Sequence, residues 1–303
     1  MMNYAVVDLG SNTIRLSLYS AAPGGGFRLL FSEKETAGIA GYISGGVLAP
    51  EGIEKAAQVL LDFRALLENL GEKEMHVFAT ASLRNIRNTG EAVEAIRGRT
   101  GITVDVLSGE EEARLGYQGA LLACGPEAAG AMFDIGGGSA EVLEARGGEI
   151  TLAQSLPIGS LNLFSQYVSK IWPKERELTA IRQRIREEFA AAGLPKGKAG
   201  NVCGVGGTAR AVLKIANAWY RREPGARTLT PDEVEEIARL LCRRGPEARQ
   251  LILRSCPDRV HTIIPGVLLM NALARSVCRE KIFVSKYGVR EGYLCHKLLK
   301  AST

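Results

Sequence analysis

Residues 131–141 read Ala-Met-Phe-Asp-Ile-Gly-Gly-Gly-Ser-Ala-Glu. An apolar run ends in Asp134, and Gly136, Gly137, Gly138 and Ser139 follow before Glu141. Glycines let a backbone turn tightly and bring its N–H groups close to a ligand with no Cβ in the way. Successive N–H groups in such a turn make a concavity suited to an anion. A carboxylate at the strand end can hold a metal ion or a water beside that anion. A plain hairpin turn would carry the same letters, so the stretch needs a second observation.

That observation is a repeat. Residues 4–8, Tyr-Ala-Val-Val-Asp, predict a short buried strand that leads into Gly10-Ser11-Asn12. Over 13–20, Ile14, Leu16 and Leu18 alternate with Arg15, Ser17 and Ser20. A period of two predicts a half-buried strand. A turn at 23–26 and a strand over 27–35 complete a meander. After Asp134 the order returns: a turn at 136–139, a strand over 140–145, a turn at Gly147-Gly148 and a strand over 149–156. Asp8 and Asp134 lie 126 positions apart, as do Gly10 and Gly136. One motif opening the same unit twice implies a duplicated domain.

Between the copies, Ile53, Ala56, Ala57, Leu60, Phe63, Leu67 and Leu70 mark one face of a helix over 50–70, with Gly71 as its C-terminal cap. A strand over 75–80, a loop over 84–88, a helix over 89–98 and a strand over 102–107 follow. Ser108 caps a helix running to Cys124, and Glu110, Glu111 and Glu112 fill its first turn. The Gly-rich stretch 36–49 yields no assignment. The second half predicts a helix over 174–192 and a strand over 201–205. Gly206-Gly207-Thr208 makes a further phosphate-like turn into a helix over 209–221. A capping box at Thr230-Pro231-Asp232-Glu233 opens a helix over 231–244. A helix over 265–279, a strand over 281–286 and a helix over 289–300 end the chain. Strands alternating with helices define an α/β class with mixed sheets.

A length of 303 residues suggests about two domains. With 46% hydrophobic and 23% charged residues the chain reads as a globular protein with a sizeable core. A net charge of +5 is compatible with an anionic partner. No block of like charge resembles a nucleic-acid arm, so no nucleic-acid partner is expected. The six cysteines form no Cys-x-x-Cys pair and read as reduced, mostly buried thiols. His76, His261 and His296 lack ligand spacing and read as structural. Neither a signal-peptide pattern nor a bilayer-spanning run is present, so a cytoplasmic protein without a membrane partner is expected. The oligomeric state stays open, a homodimer included.

Two α/β halves, each beginning with a glycine turn after an Asp, resemble the actin/Hsp70/sugar-kinase superfold. Within it the chain resembles the exopolyphosphatase / guanosine pentaphosphate phosphatase (Ppx/GppA) family. The motifs run in order along nearly the whole chain: Val7-Asp8-Leu9-Gly10-Ser11-Asn12-Thr13, Thr80 to Asn88, Ser108 to Leu115, Asp134 to Glu141, Leu156 to Ser160, Gly204 to Arg210, and Arg290-Glu291-Gly292. There are departures. Ala140 stands where a Thr or Ser is commoner, His261 where an Asp is frequent, and Ile86 where a small residue is usual. The chain ends at Thr303, without the helical C-terminal region of long family members.

The resemblance implies duplicated actin-like (ribonuclease H-like) domains with mixed sheets and an interdomain cleft. The expected domains are 1–124 joined by the C-terminal helix 289–303, and 125–288. Phosphoryl transfer asks mainly for positioning and for neutralisation of spread negative charge. Gly10, Ser11, Asn12, Gly136, Gly137, Gly138 and Ser139 are the expected phosphate cradle, with Gly207 and Thr208 beside it. Arg84 can fork onto phosphate oxygens, and Asn88 either holds its loop or caps helix 89–98. By match to the family, Glu112 is the base that activates water; the residues alone do not separate it from Glu110 and Glu111. Asp8, Asp134 and Glu141 offer oxygen ligands for Mg²⁺, and Glu141 reads equally as an outward strand residue. The expected activity is Mg²⁺-dependent hydrolysis of the terminal phosphate of inorganic polyphosphate. Alternatives are removal of the 5′-phosphate of pppGpp, an ATP-dependent kinase of the same superfold, and a non-catalytic filament or sensor protein.

Overall fold

The computed structural model describes residues 2–22, 26–194, 199–223 and 225–299. It divides into two compact units, Met1–Glu112 with Tyr293–Thr303, and Ala113–Gly292. The expected turn at 23–26 and the end of the expected helix 289–300 lie partly outside the described residues.

The first unit begins with strands β1 (Met2–Leu9), β2 (Ile14–Ala21) and β3 (Phe27–Glu35). The unassigned stretch that follows holds a short 3-10 helix, Ile39–Tyr42, and a two-residue hairpin, β4 (Ile43–Ser44) and β5 (Val47–Leu48). Helix α1 (Pro50–Asn69), β6 (Met75–Ala79), α2 (Ala81–Arg84), α3 (Thr89–Thr100), β7 (Val104–Val106) and α4 (Gly109–Cys124) come next. The five-stranded sheet has the order β3-β2-β1-β6-β7. β1 is antiparallel to β2 and parallel to β6, and β6 is parallel to β7. Val7, Leu9, Leu16, Val77 and Ala79 meet Ile53, Ala56, Leu60 and Phe63 of α1 in one core. Each Val, Leu, Ile or Phe side chain among them contributes about 1.5–3 kcal/mol on burial. Leu70, expected on that face, is 51% exposed. It lies past the last helical turn, where Gly71 (φ +80°) donates to Glu68 O and Glu72 N donates to Leu67 O. That pair of bonds ends the helix and turns residue 70 away.

β2 departs from the half-buried pattern, since Ser17 is fully buried and Ser20 nearly so. Its polar positions are small hydroxyls: Ser17 Oγ lies 3.4 Å from Ser32 Oγ on β3. The first residue of the expected loop 84–88, Arg84, is the last residue of α2, so the loop begins one residue later, at Asn85. Asn88 uses its side chain neither way expected. Its Oδ1 accepts from Leu48 N and its Nδ2 donates to Leu48 O, both at 3.0 Å, so it anchors β5.

The second unit repeats the meander as β8 (Ala131–Ile135), β9 (Ala140–Arg146) and β10 (Glu149–Leu156). Then follow α5 (Ser160–Tyr167), α6 (Glu175–Ala191), β11 (Ala199–Val205), α7 (Gly206–Trp219), β12 (Thr228–Leu229), α8 (Pro231–Arg243), α9 (Pro246–Ser255), α10 (Ile263–Val277), β13 (Cys278–Val284) and α11 (Val289–Tyr293). A π-helical turn, Leu294–Leu299, closes the described chain. The sheet order β10-β9-β8-β11-β13-β12 reproduces that of the first unit and adds the short antiparallel β12 at its edge. Register repeats too: Asp8 faces Arg15 and Leu9 faces Ile14, as Asp134 faces Glu141 and Ile135 faces Ala140. Alternate side chains serve opposite faces. Phe133, Ile135, Val142 and Val202 pack into one cluster, and Met132, Leu143, Cys203 and Val205 pack with Tyr117 and Ala120 of α4 into another.

The unit boundary falls inside α4, where the sequence placed it at residue 124. Backbone approach explains this. A Cβ on Gly119 would collide with Gly288 O and lie 2.9 Å from Gly292 N, and one on Gly292 would collide with Leu115 O. Everything in α4 past its first turn is therefore seated on the segment 288–292. The first turn stays with the first unit: Lys297 Nζ reaches Asp105 Oδ2 at 2.9 Å and Glu111 Oε1 at 3.3 Å. Tyr293 stacks on Phe78 with ring centroids 4.9 Å apart. Among the described residues no helix is long and apolar enough to cross a membrane.

The predicted caps form. Glu111 N donates to Ser108 Oγ (3.2 Å) while Glu111 Oε2 accepts from Ser108 N (3.0 Å). The Ser108 backbone bond and the nearby Lys297 hold the Glu111 carboxyl below its ordinary value. Replacing Ser108 by Ala should lower stability by about 1 kcal/mol in urea unfolding. A depressed carboxylate contributes stability above its unfolded pKa and loses it as pH falls through the folded one. The stability gap between wild type and Glu111→Gln should therefore be widest near neutral pH and close on acidification; a gap that persists in acid would exclude this carboxylate as its source.

Candidate active site

Open α/β sheets present ligand sites at the carboxyl ends of their parallel strands. In the first unit β1, β6 and β7 run parallel as neighbours, so their carboxyl ends share one sheet edge. The glycine loop 10–13 follows β1, Arg84 follows β6, and Glu112 follows β7. A cavity of about 520 Å³ lined by Arg64, Lys73, His76 and Asp105 lies near Met75 and Thr103, at the opposite ends of β6 and β7. It belongs to different chemistry from the loops.

Each glycine loop is closed by one backbone bond, Gly10 N to Thr13 O (3.2 Å) and Gly136 N to Ser139 O (3.0 Å). A Cβ on Gly10 would lie 2.8 Å from Thr13 O, so the turn needs glycine there. The loop carbonyls are spoken for. Ser11 O accepts from Ala40 N and Asn12 O from Gly38 N, both at 2.9 Å. Gly136 O accepts from Ser160 N, Gly137 O from Leu161 N, and Gly138 O from Asn162 Nδ2, each at 2.9 Å. Among the described residues no hydrogen bond occupies the N–H groups of Ser11, Asn12, Gly137 or Gly138. Carbonyls turned back and N–H groups left over is what an anion cradle requires.

Three consecutive glutamates begin α4, and burial sorts them. Glu110 and Glu111 are exposed, whereas Glu112 is 7% exposed. Glu112 Oε2 lies 2.5 Å from Arg84 Nη1, and the same nitrogen donates to Leu107 O at 3.2 Å. The two residues chosen as catalytic are thus partners at one sheet edge.

In the second unit β8, β11 and β13 are the parallel neighbours. Their carboxyl ends carry the loop 136–139, the Gly206–Gly207 turn, and Gly288 to Glu291. Gly206 (φ +87°) lies against Asp134, and a Cβ there would be 3.0 Å from Ile135 O. Gly207 lies under the Arg259 guanidinium, which a Cβ would strike. Thr208 is 1% exposed and packs against Gly266 of α10, so its hydroxyl belongs to the interior. Burial pulls the Arg210 guanidinium below its ordinary value, and Arg290 and Arg259 push the same way while Asp134 and Glu291 oppose them. Arg259 and Arg290 each act on Arg210 with like charge, a repulsion that a bound anion would relieve.

Ser139 and Glu141 act inside the loop. Both are buried, and Glu141 Oε1 accepts from Ser139 Oγ (2.8 Å) and Ser155 Oγ (2.7 Å). Glu141 therefore braces the loop from beneath, and Ser139 turns its hydroxyl inward. Among the described residues no group of three or more His, Cys, Asp and Glu side chains is placed to hold a metal ion. With Glu141 so engaged, the carboxylates at the loops are Asp8 and Asp134, both half-buried. One or two carboxylates, with phosphate oxygens and waters completing the shell, is the donor set Mg²⁺ favours. Ala140, the departure in this loop, is fully buried in the core.

Sequence reasoning passed over three contributors. Arg259 sat in a stretch without a readable pattern. Asn162 fastens the glycine loop, and its Oδ1 also accepts from Gly159 N at 2.7 Å. Arg15, opposite Asp8, was legible as the counterpart of Glu141 at the 126-residue offset.

Duplicated α/β units, each opening on a strand and a glycine loop, define the fold of the actin-like superfold. The chain belongs to the Ppx/GppA phosphatase family, whose model matches residues 18–301. Exopolyphosphatase 1 of Mycobacterium tuberculosis is 27% identical over 98% of this chain and 88% of that protein. The crystal structure of an exopolyphosphatase from Cytophaga hutchinsonii shares the fold with a TM-score of 0.84 at 21% identity, covering 99% of this chain and 98% of that one. The Aquifex aeolicus Ppx/GppA family member superposes with a TM-score of 0.78 at 24% identity, covering 100% and 99%.

Gly159, at the start of α5, approaches the loop so closely that a Cβ would lie 2.5 Å from Gly137 C and 2.7 Å from Ser139 N. Gly159→Ala should cost about 1–3 kcal/mol, as overpacking does, and weaken binding of inorganic phosphate. Unchanged phosphate binding in a calorimeter would show that the loop does not depend on this brace.

Proposed function

We propose that this protein is an exopolyphosphatase that hydrolyses the terminal phosphate from inorganic polyphosphate, with Glu112 as general base. The observation that carries this reading is the buried Arg84–Glu112 pair, which singles out one of three adjacent carboxylates at a phosphate-loop edge. The relatives named exopolyphosphatase, matched over nearly the whole chain, support the substrate class.

In this reading Glu112 takes a proton from water as the water oxygen attacks the terminal phosphorus. The bond from that phosphorus to the bridging oxygen breaks, and the shortened chain leaves with the electron pair. The N–H groups of the glycine loop after β1, in the same unit as Glu112, receive the spreading charge, since oriented donors stabilise charge that develops in the transition state. Arg84 holds the Glu112 carboxylate in one orientation. Arg210, Arg259 and Arg290 favour a substrate carrying several phosphates. Mg²⁺, held by Asp8 or Asp134, would neutralise phosphate oxygens. The same parts would serve the 5′-phosphate of pppGpp, and the family's paired name is the reason to test it.

Phosphate release from polyphosphate, pppGpp and ATP, each with and without Mg²⁺, distinguishes these readings. Glu112→Gln should reduce release from polyphosphate by about 10²–10⁴-fold, the usual share of a general base, with an unchanged melting midpoint. Gln is chosen because it keeps a partner for Arg84. Wild-type release by that variant would sink the assignment of Glu112, and release from pppGpp alone would redirect the substrate.

A further inference from the structure

Two cysteines of the second unit meet where α4 ends against the sheet. Cys124 is the last residue of α4 and half-buried, and Cys203 is fully buried on β11. Both belong to one packed cluster with Tyr117, Ala128 and Phe283. Cys124 Sγ lies 3.6 Å from Phe283 O, and Phe283 is the cross-strand neighbour of Cys203 between β11 and β13. Ser285, just past β13, fixes this approach: its N donates to Gly204 O at 2.9 Å and its Oγ to Ala120 O at 3.4 Å. The last turn of α4 is thereby seated over the strand position that carries Cys203.

The two thiols interact and differ in exposure: half-buried Cys124 places its Sγ on Phe283 O and fully buried Cys203 its Sγ on Ala128 O, each at 3.6 Å. The Cys203 hydrogen bond, with help from Ser285 and the charge of Arg227, draws the Cys124 thiol below its ordinary value against burial and Glu127. That same hydrogen bond and burial push Cys203 far above the thiol range. A partly exposed sulfur beside a fully buried one is the pairing of an attacking and a resolving thiol. Burial raises Cys242, and it raises Cys256 to about 11, so those two are poor nucleophiles.

We propose that Cys124 and Cys203 form a reversible oxidation site, in which a hydroperoxide oxidises Cys124 and Cys203 closes a disulfide. The Cys124 sulfur attacks a peroxide oxygen, the O–O bond breaks, and hydroxide leaves as an S–O bond forms. That hydroxide takes up the Cys124 proton. The Cys203 sulfur then attacks the Cys124 sulfur, the S–O bond breaks, and the second hydroxide leaves as water with the Cys203 proton. Two thiols lose two electrons, and one hydrogen peroxide becomes two waters. The bond would tie the end of α4 to the strand that runs into Gly206.

The test treats the full chain with hydrogen peroxide, alkylates it in denaturant and maps the peptides. Titratable thiols should fall from six to four, with one cross-linked peptide pair joining Cys124 to Cys203 and reverting with dithiothreitol. Cys203→Ser should instead yield Cys124 sulfenic acid captured by dimedone. Six thiols retained, a cross-link through any other cysteine, or Cys124 driven to sulfinic acid without a cross-link in the wild type would each overturn the proposal. The wild-type map decides it even if a variant fails to fold.

Discussion

Each glycine loop hangs on a backbone hydrogen bond across four residues, from Gly10 to Thr13 and from Gly136 to Ser139. The bond folds the chain back so that the loop carbonyls point into their own unit, where backbone N–H groups and Asn162 bind them. An amide plane whose oxygen is fixed has its hydrogen fixed as well. Orientation of the N–H donors is therefore set by the loop's own hydrogen bonds. Most of the surrounding architecture serves that end. Gly38 and Ala40 supply donors in one unit, and the first turn of α5 supplies them in the other.

Charge is arranged with equal economy. Burying a carboxylate such as Glu112 is unfavourable unless a partner and further hydrogen bonds accompany it. Arg84 provides both, since its Nη1 also binds the Leu107 carbonyl. Removing one member of such a pair costs about 3–5 kcal/mol because the other is stranded. Around Arg210 the balance runs the other way: Arg259 and Arg290 add like charge, which Asp134 and Glu291 oppose.

The duplication was legible because strands of period two and glycine turns are local signals, and both copies follow one grammar down to register. α1 and the caps at Ser108 and Thr230 were legible for the same reason. Choosing among Glu110, Glu111 and Glu112 was not, without a resemblance. A helix turns about 100° per residue, so only one of the three faces inward, and the packing of α4 decides which. α5, with eight residues, was missed because so short a helix carries too few turns to show a period, and α9 was missed as well. The expected exposure of Ser17 failed because a small hydroxyl with a partner on β3 can be buried at little cost. Thr208 and Glu141 were read as facing a ligand, and their inward direction depends on α10 and on Ser155, which are distant in sequence.

The seating of α4 on residues 288–292 has a consequence for how this chain can change. Gly119 and Gly292 face carbonyl oxygens rather than side chains. A clash with a side chain can be relieved by trimming the neighbour, but every amino acid carries the same carbonyl. No second substitution in the facing segment can make room for a Cβ, so defects at these two glycines lack local suppressors. Sequence can drift around this seam only by leaving its two glycines alone, and α4 past its first turn inherits its position from a contact that uses no side chain.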